Sequence, residues 1–320
     1  VSVLELRALR VSYQGPTGPV PAVRGVDLTV AAGEAIGVAG ESGSGKSTLA
    51  AACLRLLPRT AAVTGTVILD GVDVLGASWG RLRAVRWTSG SIVFQGAMHA
   101  LNPVRRVGEQ ITEPILLHSA ASRRQARATA ATLLERVGLP PARARAYPHE
   151  LSGGQRQRVM IAMALACAPR LVIADEPTTA LDVMVAAQVL RLLTDLVRQE
   201  RAGLLMISHD LPMLATTCTR LAVMYAGQVV EQGPAPVVAT RPRHPYAAAL
   251  VAAHPVIGDP ACRFAPRGLP GDPPDPTRLP VGCAFQARCA RAVPSCADGV
   301  VDLRPSTGPH QAACVWAPDA

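Results

Sequence analysis

Of the 32 basic residues in this chain, 31 are arginine and one, Lys46, is lysine. A composition that has displaced lysine almost everywhere keeps it where a compact, rotatable ammonium is needed and a planar guanidinium fork does not serve. Lys46 sits in Gly40-Glu41-Ser42-Gly43-Ser44-Gly45-Lys46-Ser47, the spacing GxxxxGK[ST] of a phosphate loop. Strand-like Ala35 to Ala39 precedes it and helix-like Thr48 to Leu57 follows, the context such a loop requires. The glycines let backbone N–H groups turn toward phosphates, the helix offers its positive end, and Lys46 reaches the β- and γ-phosphates. Gly40, Ser42, Gly43, Ser44, Gly45, Lys46, Ser47 and Thr48 are the candidate nucleotide contacts, and Ser47 is expected to ligate magnesium.

A phosphate loop needs a second metal ligand and a means of activating water. Leu171-Val172-Ile173-Ala174-Asp175-Glu176 is an apolar run, read as a buried parallel strand, that ends in two carboxylates. Asp175 is expected to hold magnesium through water, and Glu176 to face the attacking water as general base. Between these motifs, Leu151-Ser152-Gly153-Gly154-Gln155 opens a helix read as running through Arg156 to Ala168. With Ser152 as its cap, its exposed N–H donors make a second anion site about 110 residues from the first. One chain rarely needs two cradles for one phosphate.

The five residues LSGGQ, lying between a phosphate loop and an acidic strand, resemble the signature of ABC-type ATPases. The resemblance assigns further roles. Gln95, in Ile92-Val93-Phe94-Gln95, is similar to the Q-loop glutamine that senses magnesium and the permease. Asp182, in Thr179-Ala180-Leu181-Asp182, is similar to the D-loop aspartate. His209, after the apolar run Leu204 to Ile207, resembles the switch histidine that contacts the γ-phosphate, and Tyr13 resembles the aromatic that stacks on adenine. The resemblance implies that Ser152, Gly153, Gly154 and Gln155 close over the phosphate loop of a second ATPase subunit, a paralogue or an identical copy. That accounts for two cradles in one chain.

Finer matches point to one branch. Ala97-Met98-His99-Ala100-Leu101-Asn102-Pro103, Pro177-Thr178-Thr179, His244-Pro245-Tyr246 and Gly271-Asp272-Pro273-Pro274 are similar to the ATP-binding subunits of dipeptide and oligopeptide importers, with departures at Gly96-Ala97 and Ala247. The implied partners are two transmembrane permease subunits and an extracytoplasmic solute-binding protein, and the implied location is the cytoplasmic face of the membrane. Nickel, opine and oligosaccharide importers use the same motifs. A soluble ABC ATPase of DNA repair or translation is the reading from another class; a single nucleotide-binding domain without an inserted DNA-binding module stands against it.

The elements that must position these residues follow from pattern. Ser122 to Val137 places Ala126, Ala130, Leu133, Leu134 and Val137 on one face, and Gly138 and Pro140 end that helix. Arg123, Arg124 and Arg127 on its polar face lack interleaved aromatics and read as a solvated face, so no nucleic-acid partner is expected. The expected fold is α/β: a P-loop ABC nucleotide-binding domain over 1–235, with a RecA-like core, an N-terminal antiparallel β part and a helical subdomain at about 96–160. Beyond about residue 235 prolines multiply and periodicity fades, which marks a loop-rich C-terminal domain, 236–320, in need of a staple.

Cysteines are the candidate staple. Cys53, Cys167 and Cys218 read as small core hydrophobes, and Cys262 is isolated. Cys283, Cys289, Cys296 and Cys314 form an irregular set of four that lacks the CxxC hooks of structural zinc. Four thiolates in a reducing compartment favour metal over disulfides, and the chemistry permits iron–sulfur, zinc or metal-free thiols. The run Leu279 to Cys289 resembles the C-terminal motif of peptide-importer ATPases, which implies a [4Fe-4S] cluster beside ATP and Mg2+ as the cofactor set.

With 320 residues, 49% of them hydrophobic, and a mean hydropathy of +0.24, the chain is neither disordered nor fibrous. The longest apolar run, Val159 to Ala168, stops at Pro169, short of the roughly 18 to 20 residues of a membrane-spanning helix. The opening VSVLELRALRVSY lacks the pattern of a signal peptide. A net charge of +9 permits anionic partners without specifying one.

Overall fold

The computed structural model describes residues 1–16, 18–96, 100–179, 181–253, 268–299, 301–304 and 308–317. Ala97 to His99, Ala180 and Cys262, all used in the sequence reading, lie outside them.

Two sheets carry the fold. The first is antiparallel, in the order β2 (Gly18–Ala31), β1 (Ser2–Gly15), β4 (Ala62–Leu69), β5 (Val72–Asp73). In β1, Leu4, Leu6, Leu9 and Val11 are buried. Leu6 and Leu9 are three residues apart, so they share a face only because a bulge between Arg7 and Arg10, with Ala8 at φ 45°, resets the alternation.

The second sheet is mixed, in the order β11 (Gln311–Ala312), β10 (Gln228–Pro234), β9 (Arg220–Tyr225), β3 (Ala35–Ala39), β8 (Gly203–Ser208), β7 (Leu171–Asp175), β6 (Gly90–Val93). The five strands from β9 to β6 are parallel. Both faces are covered, which explains why β7 and β8 read as unbroken apolar runs and are buried throughout.

Helices Val107–His118, Arg123–Arg136 and Gly153–Ala164 pack together between β6 and β7. The apolar stripe Ala126, Ala130, Leu133, Leu134 and Val137 is buried as its spacing requires, and Ser122 and Gln125 form a reciprocal capping box. Two helices are shorter than their sequence pattern. The phosphate-loop helix spans Lys46–Cys53, with Arg55 at φ 51°, and the signature helix ends at Ala164. Ala168, also left-handed at φ 48°, turns the chain before Pro169, whose ring excludes helix at the preceding residue.

After Ala235–Thr240 and Pro245–Ala253 the chain returns to this sheet. β11 pairs antiparallel with β10, and Phe285 joins the main hydrophobic core. The node beneath this seam is Glu231, fully buried, whose carboxylate accepts from Arg243 N–H (2.9 Å), His244 N–H (2.7 Å) and His310 Nε2 (2.7 Å). Glu231→Leu strands these donors without water and is expected to cost about 3 kcal/mol or more of stability. An unchanged urea midpoint for this variant would remove Glu231 as the anchor of the C-terminal region.

Candidate functional site

Four parallel strands deliver the candidate residues to one end of the main sheet. β3 runs into the phosphate loop, β6 leads to Gln95, β7 ends at Asp175 before Glu176, and β8 ends just before His209. Carboxyl ends of neighbouring parallel strands are where α/β sheets hold their ligands.

Backbone geometry makes two loop glycines obligatory. A Cβ on Gly45, at φ 98°, would lie 2.1 Å from the Ala22 carbonyl oxygen, and one on Gly40 would lie 2.3 Å from that of Met224. Lys46 is 5% exposed; its Nζ donates to Gly40 O and Glu41 O, both at 2.7 Å, and to Ser44 Oγ at 3.3 Å. Burial lowers the Lys46 pKa, and the charges of Glu176, Asp175 and Glu41 oppose that shift. Ser47 Oγ donates to Asp175 Oδ1 at 3.1 Å, which joins the two oxygen ligands expected for magnesium. Burial raises the Asp175 pKa, against the pull of the Ser47 hydrogen bond.

Glu176 occupies a left-handed backbone conformation, φ 44°, that costs a non-glycine residue energy and persists only where its surroundings impose it. Its N–H donates to Ile207 O at 2.9 Å. Its carboxylate accepts from Gln95 Nε2 and Thr179 Oγ1, each at 3.0 Å, and lies 3.4 Å from His209 Nδ1. Gln95, Glu176 and His209, taken from three separate motifs, therefore meet on one carboxylate. Tyr13 reaches the same region through its hydroxyl, 3.1 Å from Thr48 Oγ1.

The second cradle stands apart. Ser152 caps the signature helix through the Gln155 N–H, and Gln155 Oε1 accepts from the Ser152 N–H. A Cβ on Gly154 would meet Val185 at 2.6 Å and one on Gly153 would meet Leu181 at 3.5 Å, so this helix start packs on the segment whose helix Asp182 caps. Ser152 to Gln155 thus gather with Asp182 and not with the phosphate loop of the same chain.

Sequence reasoning overlooked three contacts. Thr179 bonds Glu176, and Glu41 of the phosphate loop is held by Tyr246 and Arg288 from the C-terminal region. A serine or threonine three residues past the acidic pair offered a weak local signal for the first; nothing local signalled the others.

Cys53 and Cys218 are core residues whose thiols burial pushes up to about 12, and Cys167 is half-buried. Cys283, Cys289, Cys296 and Cys314 line one small cavity with His244 and Trp316. Burial raises the pKa of Cys283 and Cys314, and their neighbouring thiols add to it. Among the described residues, no three His, Cys, Asp or Glu side chains converge closely enough to hold a single ion.

Loop, carboxylate pair and glutamine on a parallel sheet define a P-loop nucleotide-binding protein. Residues 23–179 match the family model of the ABC transporter, and residues 230–296 match that of the oligopeptide/dipeptide transporter C-terminal region. The oligopeptide transport ATP-binding protein OppD of Salmonella typhimurium is 44% identical over 296 residues, covering 92% of this chain and 88% of that protein. A putative peptide import ATP-binding protein of Brucella melitensis is 43% identical over 327 residues, covering 98% and 96%. Among solved structures, the dimeric ATP-binding cassette MJ0796 bound to ADP and Pi superposes with a TM-score of 0.65 at 28% identity, covering 72% of this chain and 98% of that one. The chain belongs to the ABC transporter family of ATP-binding proteins and is an ATPase.

Proposed function

We propose that this chain is the ATP-hydrolysing subunit that energises the import of peptides across the cytoplasmic membrane. The observation that carries this reading is the joining, in one chain, of the ABC domain to a C-terminal region of the oligopeptide/dipeptide transporter type. The peptide-import names of its relatives support it. Residues 1–235 serve as the ATPase domain, with its helical subdomain at about 96–160, and 236–320 as the C-terminal cysteine domain. Two permease subunits, a solute-binding protein and a second ATPase subunit complete the assembly at the cytoplasmic face. No helix among the described residues is long and apolar enough to cross a membrane.

The chain's own groups divide the work. Lys46 and the loop N–H groups bind the phosphates, and Tyr13 supports the base. Ser47, Asp175 and Gln95 would hold Mg2+, and the ion would supply charge neutralisation at the phosphates. Glu176 takes the proton of the attacking water, while His209 orients toward the γ-phosphate. Ser152, Gly153, Gly154, Gln155 and Asp182 complete the site of the second subunit.

Cys283, Cys289, Cys296 and Cys314 hold a [4Fe-4S] cluster, which supplies a covalent staple to a region short of regular structure. One feature of the cavity supports this. Its wall includes His244, whose Nδ1 accepts from the Tyr246 N–H at 3.0 Å, so its proton sits on Nε2. That buried Nε2 has no partner among the described residues, and a sulfur-rich group would accept from it.

Anaerobic affinity purification of the tagged chain from its own membranes tests the assignment. Two multi-span permeases, a second ATPase and about four irons per chain are expected. A chain recovered without permeases, bound to ribosomes or nucleic acid, ends the transport reading, and a chain without iron ends the cluster reading.

A further inference from the structure

The cysteine region does not hang free of the ATPase site; it grips the phosphate loop. Glu41, the residue after Gly40, is held from two sides. Its N–H donates to Tyr246 Oη at 2.8 Å, and its carboxylate receives both arms of Arg288, Nη1 to Oε2 at 2.8 Å and Nη2 to Oε1 at 3.0 Å. The two residues are 247 positions apart. Arg288 lies within the cysteine set, one residue before Cys289 and five after Cys283.

The arginine is fixed before it reaches the loop. Its side chain is 5% exposed, its Nε donates to Pro270 O at 2.7 Å, and Nη1 also reaches Tyr225 Oη at 3.2 Å. Its N–H donates to Phe285 O, and Phe285 packs edge-on against Tyr225 and Tyr246. A bidentate guanidinium–carboxylate pair with so little solvent is directional as well as strong. It matters because the Glu41 carbonyl is one of the oxygens that hold Lys46 Nζ. Turning Glu41 turns the peptide against which the lysine is placed.

We propose that Arg288 is a positioning residue for the phosphate loop, and that through it the filling of the four-cysteine site controls how tightly the chain binds ATP. The second half rests on the reading of those cysteines as a cluster site. A filled site would tie Cys283 and Cys289 on either side of the Phe285–Arg288 turn; without that tie the fork is held only by its Pro270, Tyr225 and Phe285 contacts and is aimed less firmly.

The test is a binding titration of the full chain, purified anaerobically, with a fluorescent N-methylanthraniloyl ATP analogue in EDTA, so that affinity and not turnover is read. Arg288→Lys keeps the charge and the packed stem but cannot fork, and is expected to weaken binding about tenfold. Glu41→Gln is expected to weaken it similarly, and the double variant to be within twofold of the worse single one, as residues acting through one contact behave. Cys289→Ser, which empties the site, should weaken binding in the unsubstituted chain and add nothing to Arg288→Lys. Thermal midpoints and iron content are read on every sample, which separates lost folding and lost metal from lost positioning. An Arg288→Lys chain that is folded and binds within twofold of the unsubstituted one, or a double variant whose losses multiply, overturns the positioning role. Full affinity in an iron-free Cys289→Ser chain overturns the control by the cysteine site. Absence of iron from the unsubstituted chain sinks the cluster reading and the control by the cysteine site that rests on it, and the Arg288 titration then decides the positioning role by itself.

Discussion

Glu176→Gln is expected to abolish most ATP hydrolysis while leaving nucleotide affinity within about threefold, because the change removes the proposed base and little else. Glutamine matches glutamate in shape, and its amide oxygen still accepts from Gln95 Nε2 and Thr179 Oγ1, both 3.0 Å from the present carboxylate. The left-handed backbone at residue 176 and its bond to Ile207 O do not depend on the carboxylate. What disappears is the capacity to take a proton from water, a contribution of about 10²- to 10⁴-fold for a positioned general base. Phosphate release by the assembled complex, set beside nucleotide titration, gives the answer. A variant that keeps a tenth or more of the turnover shows that the proton goes elsewhere, with His209, 3.4 Å from Glu176, the next group to test.

The second large effect is expected at the single lysine. Lys46→Arg preserves the positive charge, so a site that needs charge alone tolerates it. The geometry says otherwise: Nζ fits among two carbonyl oxygens at 2.7 Å and a serine hydroxyl, in a slot 5% exposed, where a flat five-donor group has no room to turn. Loss of one charge-assisted contact to phosphate, about 3 kcal/mol, corresponds to a roughly 100-fold fall in kcat/KM for ATP. Steady-state kinetics across ATP concentration measure it, with Lys46→Ala as the charge-free reference. Near-normal kinetics for the arginine variant make the lone lysine an accident of composition.

The centre of the site was legible because each part is local. Gly40 to Ser47 is a contiguous motif, Asp175 and Glu176 end a recognisable strand, and Ser152 with Gln155 forms a four-residue cap. Parallel β topology then does the rest, since apolar strands in one sheet bring their carboxyl ends together whatever the loops between them. The hold on Glu41 was not legible. Arg288 is one of 31 arginines, and no periodicity ties it to a residue 247 positions earlier. The Glu231 node fails for the same reason: its partners are backbone N–H groups and a distant histidine, which carry no pattern. Prolines after residue 235 advertised loops, yet they concealed β11, a two-residue strand too short for any alternation to register.

That short strand shapes how the polypeptide reaches its native state. β10 awaits β11 across a long stretch of chain, with Gln232 and Gln311 79 positions apart and bonded at 2.6 Å. Until residue 311 emerges from the ribosome, the Glu231–Gln232 stretch of β10 lacks its partner strand and leaves its backbone groups open to pairing with another nascent chain. Completion of the nucleotide-binding sheet is therefore a late, high-contact-order event. A chain truncated within the proline-rich stretch lacks that pairing, and is expected to aggregate more readily than the full chain in a light-scattering comparison.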